Sequence, residues 1–244
     1  TQDDIIKMAT LREKLRDFLN INRGVSNRND KASTFHWVWG YITTNQLKGD
    51  YIEFGTYEGN TFIESWKQWD YFQKWIEVQL KSSEKWRGDS FKEFYKYKPN
   101  FIGIDSFEGI PENDESELYF SKGDFAATEN LVKNNCLDAG MPKNQFKLIK
   151  SFYSEISNDT LTNKAAVIHV DVDIYQSALE ALSLCKNIIQ QGTIILFDDY
   201  NCFSASNDKG ERRALREFAE ETGIFFEPWF AYRNVGQAFI CQLK

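Results

Sequence analysis

Acidic residues with strand-like spacing stand in the segment HVDVDIY, which directly follows the apolar run AAVI. His169, Asp171 and Asp173 are two positions apart, so a strand would place all three on one face and the intervening valines on the other. A buried carboxylate is unfavourable unless it is hydrogen-bonded, paired or bound to a cation. The pattern therefore predicts that this strand leads into a polar site.

A second acidic pair, Asp198 and Asp199, ends the segment TIILFDD. If the two segments are neighbouring strands, both aspartates lie at one rim with Asp171. Three carboxylates so close raise one another's pKa unless a cation lies among them. Oxygen ligands without cysteine favour a hard ion, with Mg²⁺ first and Ca²⁺ or Mn²⁺ as alternatives. The competing interpretation is that these acids cap helices or lie in solvated loops, and the convergence of strand ends favours the metal.

A glycine-bearing turn, EFGTYEG, covers Glu53 to Gly59 and precedes a helical pattern. Glycine allows a ligand to approach the backbone closely, and a helix N-terminus attracts its negative group. The spacing from Gly55 to Gly59 does not meet the dinucleotide fingerprint GxGxxG. Asp105, which ends FIGID, is suited to accept both hydroxyls of a ribose, or else it caps a turn. Together the two features favour a cofactor that bears a nucleoside.

Strand-like and helical segments alternate along the chain, which predicts an α/β fold with a mostly parallel sheet and helices on both faces. The predicted strands are YIEFG (51–55), FIGID (101–105), FKLIK (146–150), AAVIHVDVD (165–173) and TIILFDD (193–199). The last two segments, FFEPWFA and QAFICQL, have no helix between them and predict an antiparallel hairpin at the sheet edge. Sites in such sheets form beyond the carboxyl ends of the strands, where the unusual residues stand here.

The composition, 42% hydrophobic and 27% charged over 244 residues, suits one globular domain. No apolar run reaches the roughly 20 residues of a membrane span, so we expect no membrane partner. A net charge of −7 argues against nucleic acid. Four scattered cysteines and an N-terminus without the layout of a signal peptide predict a cytoplasmic protein.

Five segments, EFGTYEGNTF, IDSFEGIPE, HVDVDIYQSALEAL, GTIILFDDY and GERRALREF, resemble the macrocin O-methyltransferase family in order and spacing. The resemblance runs from about Asp50 to Phe218 and is most specific in HVDVDIY and FDDY. That family methylates sugar hydroxyls with S-adenosyl-L-methionine and Mg²⁺. The resemblance implies a class I methyltransferase (Rossmann-like) fold with seven strands, and an acceptor that is a sugar, a sugar-bearing natural product or a polysaccharide.

The resemblance also implies a role for each candidate residue. Asp171, Asp198 and Asp199 would bind Mg²⁺, and Asp173 would be the general base. The residues implied to bind S-adenosyl-L-methionine are Glu53, Gly55, Thr56, Tyr57, Gly59, Asp105 and Ser106. His169 would hydrogen-bond near the metal or line the cofactor pocket, because histidine is a poor Mg²⁺ ligand. We further expect a homo-oligomer, a dimer or larger.

The expected organisation is an N-terminal helical cap region (1–48), opening with an amphipathic helix over residues 3–19, and a methyltransferase domain (49–244). A helical insert at about 66–98 carries four of the seven tryptophans. Helical spacing favours core or subunit packing for them, and an aromatic lid over the acceptor is the alternative. Three other functions stay open: a catechol-type O-methyltransferase, a methyltransferase-like domain without turnover, and, less favoured, a dehydrogenase.

Overall fold

The computed structural model of the protein describes residues 31–81, 88–113 and 120–243. The strands are β1 (Asp50–Phe54), β2 (Phe101–Asp105), β3 (Phe146–Lys150), β4 (Ala165–Val170), β5 (Ile194–Phe197), β6 (Phe225–Tyr232) and β7 (Gly236–Gln242). The helices are α1 (Lys31–Asn45), α2 (Asn60–Lys81), α3 (Gly88–Lys96), α4 (Glu129–Asp138), α5 (Tyr175–Cys185) and α6 (Gly210–Thr222). Short 3₁₀ turns cover Tyr153–Glu155 and Phe203–Ala205.

The seven strands form one sheet in the order β3-β2-β1-β4-β5-β7-β6. The strands β1 to β5 pair with one another in parallel, whereas β7 is antiparallel to both β5 and β6. The predicted sheet and its C-terminal antiparallel hairpin are therefore confirmed. The strand order reverses between β1 and β4, and such a switch point opens a crevice at the carboxyl ends of the strands.

Alternate residues of each central strand bury opposite faces of the sheet. Tyr51 of β1 and Val167 of β4 belong to a cluster with α1, α2 and α4, while Ile52 and Ile168 belong to a second cluster with α5 and α6. This period of two is the pattern expected for strands covered on both sides. The carboxyl ends of β1, β4 and β5 are consequently held by two apolar layers.

The alternation predicted for HVDVDIY holds only as far as the strand continues. His169 lies on the α1–α2 side, while Val170 and Val172 pack in the α5–α6 cluster. Regular pairing of β4 ends at Val170, before the first aspartate. Asp173 then has a left-handed backbone with φ of 65°. Aspartate tolerates this conformation better than most residues, so the chain turns here into α5 instead of extending the strand.

The aromatic insert belongs to the core in the part that the structure describes. Trp66 and Trp69 of α2 are buried, and the Trp69 ring packs on Phe101 of β2 with 5.9 Å between ring centroids. Trp66 Nε1 donates to Gln145 Oε1 at 3.2 Å. No described residue of α2 or α3 lines the cavity described below. Core packing is therefore observed for these tryptophans, and the alternative of a lid finds no support among the described residues.

Helix α1 packs against α2 and the β1 face of the sheet. Trp39 Nε1 donates to Ser65 Oγ at 3.0 Å, and His36 lies among the rings of Tyr71 and Phe72. The amphipathic helix predicted over residues 3–19 lies outside the described residues. Within the described chain, no helix combines the length and apolar character needed to cross a bilayer.

Candidate active site

A cavity of about 690 Å³ opens at the switch point between β1 and β4. Residues that follow β1, β2, β3, β4 and β5 all contribute to its lining, as the rule for parallel sheets requires. Of the predicted site residues, those that line it are Gly55, Tyr57, Asp105, Ser106, Asp171, Asp173, Asp198 and Asp199. Its volume lies in the range typical of pockets for small molecules and cofactors.

Main-chain hydrogen bonds carry the sheet pairing one step past the strand ends and thereby place the acids. Asp171 N donates to Phe54 O at 3.0 Å, and Asp198 N donates to Val170 O at 3.0 Å. Asp171 thus stands beside the end of β1, and Asp198 stands beside the end of β4. The structure brings Asp171, Asp198 and Asp199 together on one rim, as their positions in the sequence predicted.

Burial and repulsion among the carboxylates raise the pKa of three of the four aspartates at this rim. Burial, followed by the charge of Asp198, raises the pKa of Asp171 well above its ordinary value. Burial, followed by the charge of Asp199 and a hydrogen bond with it, raises the pKa of Asp173 to about 8. Burial and the charge of Asp198 also raise the pKa of Asp199. The rim therefore carries more carboxyl groups than its cationic side chains can neutralise.

Asp198 differs from its neighbours because two cationic side chains face it. Burial alone would raise the pKa of Asp198, but His169 and Arg233 together lower it below its ordinary value. Arg233 donates to Asp198 Oδ2, and His169 Nε2 lies 3.8 Å from Asp198 Oδ1, an ion-pair distance too long for a hydrogen bond. Within the described residues, neither Asp171 nor Asp199 is paired with a lysine or arginine.

His169 connects the acidic rim to the buried part of β1. Its Nδ1 lies 3.2 Å from Glu53 Oε2, and its buried Nε2 has no hydrogen-bond partner among the described residues. Glu53 also accepts from the hydroxyls of Tyr51 and Thr61. Glu53, predicted to bind the cofactor, is fully buried and lies beneath the cavity instead of lining it. Its four-residue network holds the base of the β1–α2 turn.

The predicted cofactor turn is drawn tightly against β4. Gly55 has φ of 82°, and a Cβ built on it would lie 1.8 Å from the Asp171 carbonyl oxygen, so no larger residue fits without displacement. Asp105 Oδ2 accepts from Thr56 N at 2.8 Å and Tyr57 N at 3.0 Å. Thr56 and Gly59 themselves do not line the cavity.

Asp105 therefore caps the turn, which is the predicted alternative to ribose binding. It also lines the cavity. Its Oδ1 accepts one hydrogen bond, from Phe107 N at 2.8 Å. A carboxylate offers about four acceptor sites in all, so Oδ1 retains capacity for a ligand hydroxyl. Ser106 Oγ is engaged in the same turn, where it accepts from Glu108 N at 3.1 Å.

The side chains at the rim fit a divalent cation. His169, Asp171 and Asp198 offer ligand atoms that all lie within 4.8 Å of one another. The raised pKa values of Asp171, Asp173 and Asp199 show a deficit of positive charge that a hard cation would relieve. The glycine turn, the amino end of α2 and Asp105 likewise fit a cofactor that bears a nucleoside.

Sequence reasoning missed three residues of this site. Arg233 stands in the turn between β6 and β7, where nothing in the local sequence indicates a contact with β5. Glu211 belongs to the motif GERRALREF, for which the sequence predicted no site residue; it is fully buried, and its Oε2 accepts from Asp199 N at 2.9 Å. Tyr153, which lines the cavity, packs edge-on against Phe54 at 5.5 Å.

Comparison with known proteins gives a family match and a curated relative. The family model of macrocin-O-methyltransferase (TylF) matches residues 96–230, more than half of the chain. The 8-demethyl-8-(2,3-dimethoxy-alpha-L-rhamnosyl)-tetracenomycin-C 4′-O-methyltransferase of Streptomyces olivaceus is 27% identical over 136 residues. That alignment covers 50% of this chain and 52% of the relative, so it spans about half the length of the relative.

Solved methyltransferases share the fold. The O-methyltransferase NovP superposes with a TM-score of 0.63 at 16% identity and covers 87% of this chain and 79% of its own. The calicheamicin methyltransferase CalS11 gives 0.60 at 17% identity, with 94% and 85% covered. Identities this low support the fold alone. With the seven-stranded sheet and its antiparallel end, they show the class I methyltransferase fold that the resemblance implied.

Proposed function

This chain belongs to the macrocin-O-methyltransferase (TylF) family, and from that membership we propose that it transfers a methyl group from S-adenosyl-L-methionine to a sugar hydroxyl, with Mg²⁺ as the metal. The observation that carries the proposal is the convergence of Asp171, Asp173, Asp198 and Asp199 on the cavity that begins at the Gly55 turn. The named activity of the Streptomyces olivaceus relative, methylation of a rhamnosyl group, supports a glycosylated natural product as the acceptor.

In this proposal each group of residues has one task. Asp171, Asp198 and Asp199 hold the ion, and the turn from Gly55 to Gly59 with Asp105 and Ser106 holds the cofactor. Glu53 supports that turn from below through Thr61 and His169. When bound, Mg²⁺ acidifies and orients the acceptor hydroxyl, and S-adenosyl-L-methionine supplies an electrophilic methyl group.

Asp173 accepts the proton that the hydroxyl releases as its oxygen takes the methyl group. The O–C bond forms as the S–C bond breaks, so the other product is S-adenosyl-L-homocysteine. Burial is the main reason that the pKa of Asp173 is about 8 without a metal, so near neutral pH this carboxyl is mostly protonated. Such a base must be ionised to act, and a cation among its neighbours favours that ionised form.

The test is release of S-adenosyl-L-homocysteine from S-adenosyl-L-methionine in the presence of Mg²⁺ and a panel of methyl glycosides, with rhamnosides first. The native protein should turn over at least one sugar and no simple catechol. The Asp173→Asn variant should bind S-adenosyl-L-homocysteine normally and lose activity by about 10²-fold or more. Turnover of catechols alone would favour the catechol-type alternative. A near-native rate for Asp173→Asn would exclude Asp173 as the general base.

A further inference from the structure

The two carboxylate oxygens of Asp198 have different surroundings. Oδ2 accepts from the guanidinium of Arg233, whereas Oδ1 faces His169 Nε2 at 3.8 Å. The Asp198 side chain is 8% exposed and that of Arg233 is 40% exposed, so the pair lies at the inner edge of the cavity. One oxygen of this candidate metal ligand is therefore already occupied by a group of the protein itself.

Arg233 reaches Asp198 because the C-terminal hairpin is anchored beside the end of β5. Phe197 of β5 pairs with Gln237 of β7, and Asn201 N donates to Val235 O at 2.9 Å. Arg233 itself has φ of 50°, a left-handed conformation that belongs to the hairpin turn. These contacts fix the backbone of the hairpin turn beside β5, and the turn in turn places the Arg233 side chain next to Asp198.

Divalent ions differ in how they use such a carboxylate. Ca²⁺ takes six to eight oxygen ligands and commonly binds a carboxylate through both oxygens, whereas Mg²⁺ requires a compact octahedron and keeps several waters. An arginine that donates to one oxygen of a carboxylate lies beside that oxygen and repels a second cation from it, so an incoming ion is left to bind the other oxygen. We propose that Arg233 is a positioning residue that makes this site select Mg²⁺ over Ca²⁺ by reserving Oδ2 of Asp198. This inference rests on the metal site of the proposed function.

The ratio of the two affinities separates this role from a simple charge effect. Removing a positive charge near the site would strengthen the binding of Mg²⁺ and Ca²⁺ alike, because both ions carry the same charge. A preference for the larger ion requires more available oxygens or a larger and more flexible site. The Ca²⁺ to Mg²⁺ affinity ratio is thus the quantity that a purely electrostatic role leaves unchanged.

The experiment is calorimetric titration of the full chain with MgCl₂ and, separately, CaCl₂. Arg233→Met removes the guanidinium but keeps much of the length of the side chain, and Arg233→Lys keeps a cation that can pair with one oxygen. Arg216→Met is the control, because Arg216 pairs with Glu220 on the outer side of α6. We expect Arg233→Met to shift the affinity ratio toward Ca²⁺ by about tenfold, with Arg233→Lys and the control close to native.

Each outcome decides the inference. An affinity ratio that is unchanged in Arg233→Met, with either ion still bound, overturns the role of Arg233 and leaves the proposed metal site intact. A native protein that binds neither ion overturns both. If Arg233→Met does not fold, as judged by its thermal transition, Arg233→Gln is titrated instead, and it should move the ratio in the same direction.

Discussion

Four aspartates at the rim share one residue type but have different local environments. Asp198 faces His169 and Arg233 and has a lowered pKa, while Asp171, Asp173 and Asp199 are partly buried beside other carboxylates, Asp198 among them, and have raised pKa values. At the scale of single residues, the site is therefore a set of buried acids with too little positive charge. A bound divalent ion would reverse the raised pKa values, because opposite charge favours the ionised carboxylate.

The metal-free protein should lose stability as the pH rises from about 4 to about 8, the interval between the unfolded pKa of an aspartate and the folded pKa of Asp173. Across that interval the folded state binds more protons than the unfolded state, so the free energy of unfolding falls with pH. The slope for one such group is at most about 1.4 kcal/mol per pH unit. Urea denaturation in the presence of a chelator, repeated across this interval, measures the slope.

Asp173→Asn is the control for this dependence, because it removes one titrating carboxyl and should reduce the slope, while Asp171 and Asp199 retain theirs. His169 is a further contributor of the same sign. Its carboxylate neighbours overcome burial and raise its pKa to about 10, so its stabilising charge is lost between about pH 6.5 and that value. A metal-free profile that rises through this whole range would contradict the assigned pKa shifts.

Among the elements, the β1–α2 turn and the end of β4 are packed against each other without space for a side chain. Gly55 lies so close to the Asp171 carbonyl that any distortion of one moves the other. The turn that is expected to hold the cofactor and the segment that begins the acidic rim are thus a single structural unit. Their relative position is set by backbone contact.

Gly55→Ala should therefore destabilise the protein by more than the cost of its left-handed backbone alone. That conformational cost is about 1–2 kcal/mol for a residue with a side chain, and displacement of the Asp171 backbone adds to it. Gly223→Ala is the matched control, because Gly223 has φ of 70° and open space around its missing Cβ. Chemical denaturation measures both; equal losses for the two variants would show that the close approach to Asp171 costs nothing.

The elements were predictable from sequence where local pattern decides the structure. FIGID and FKLIK form strands at the predicted bounds because their apolar content and flanking turns leave no competing choice. The left-handed turn at Asp173 and the Arg233 pair were not predictable. The turn depends on how the chain leaves β4 to enter α5, and the pair depends on the hairpin register beside β5. Neither leaves a periodic signal in the local sequence.

For the whole molecule, the reversal of strand order between β1 and β4 brings the glycine turn and the acidic rim into one cavity. The aromatic helices lie on a face of the sheet away from that cavity in the described chain, where they contribute core. The molecule thus separates the elements that stabilise the sheet from the loops that carry the chemistry, as is common when function resides in loops on a rigid scaffold.

Ligands of this cavity should stabilise the entire fold. S-adenosyl-L-homocysteine at about one hundred times its dissociation constant should add roughly 2.7 kcal/mol to the free energy of unfolding and raise the melting temperature. NAD⁺ should give no shift, because the turn lacks the GxGxxG spacing. Differential scanning calorimetry with each ligand makes the comparison. A shift with NAD⁺ and none with S-adenosyl-L-homocysteine would favour the dehydrogenase alternative.

A crystal soaked with MnCl₂ and S-adenosyl-L-homocysteine tests whether the acids that follow β4 and β5 gather around a divalent ion. Anomalous scattering then locates Mn²⁺ without reference to any acceptor. The account predicts one peak bounded by Asp171, Asp198 and Asp199, lost in the Asp171→Asn variant. A cavity that holds S-adenosyl-L-homocysteine but no manganese at these carboxylates would contradict it.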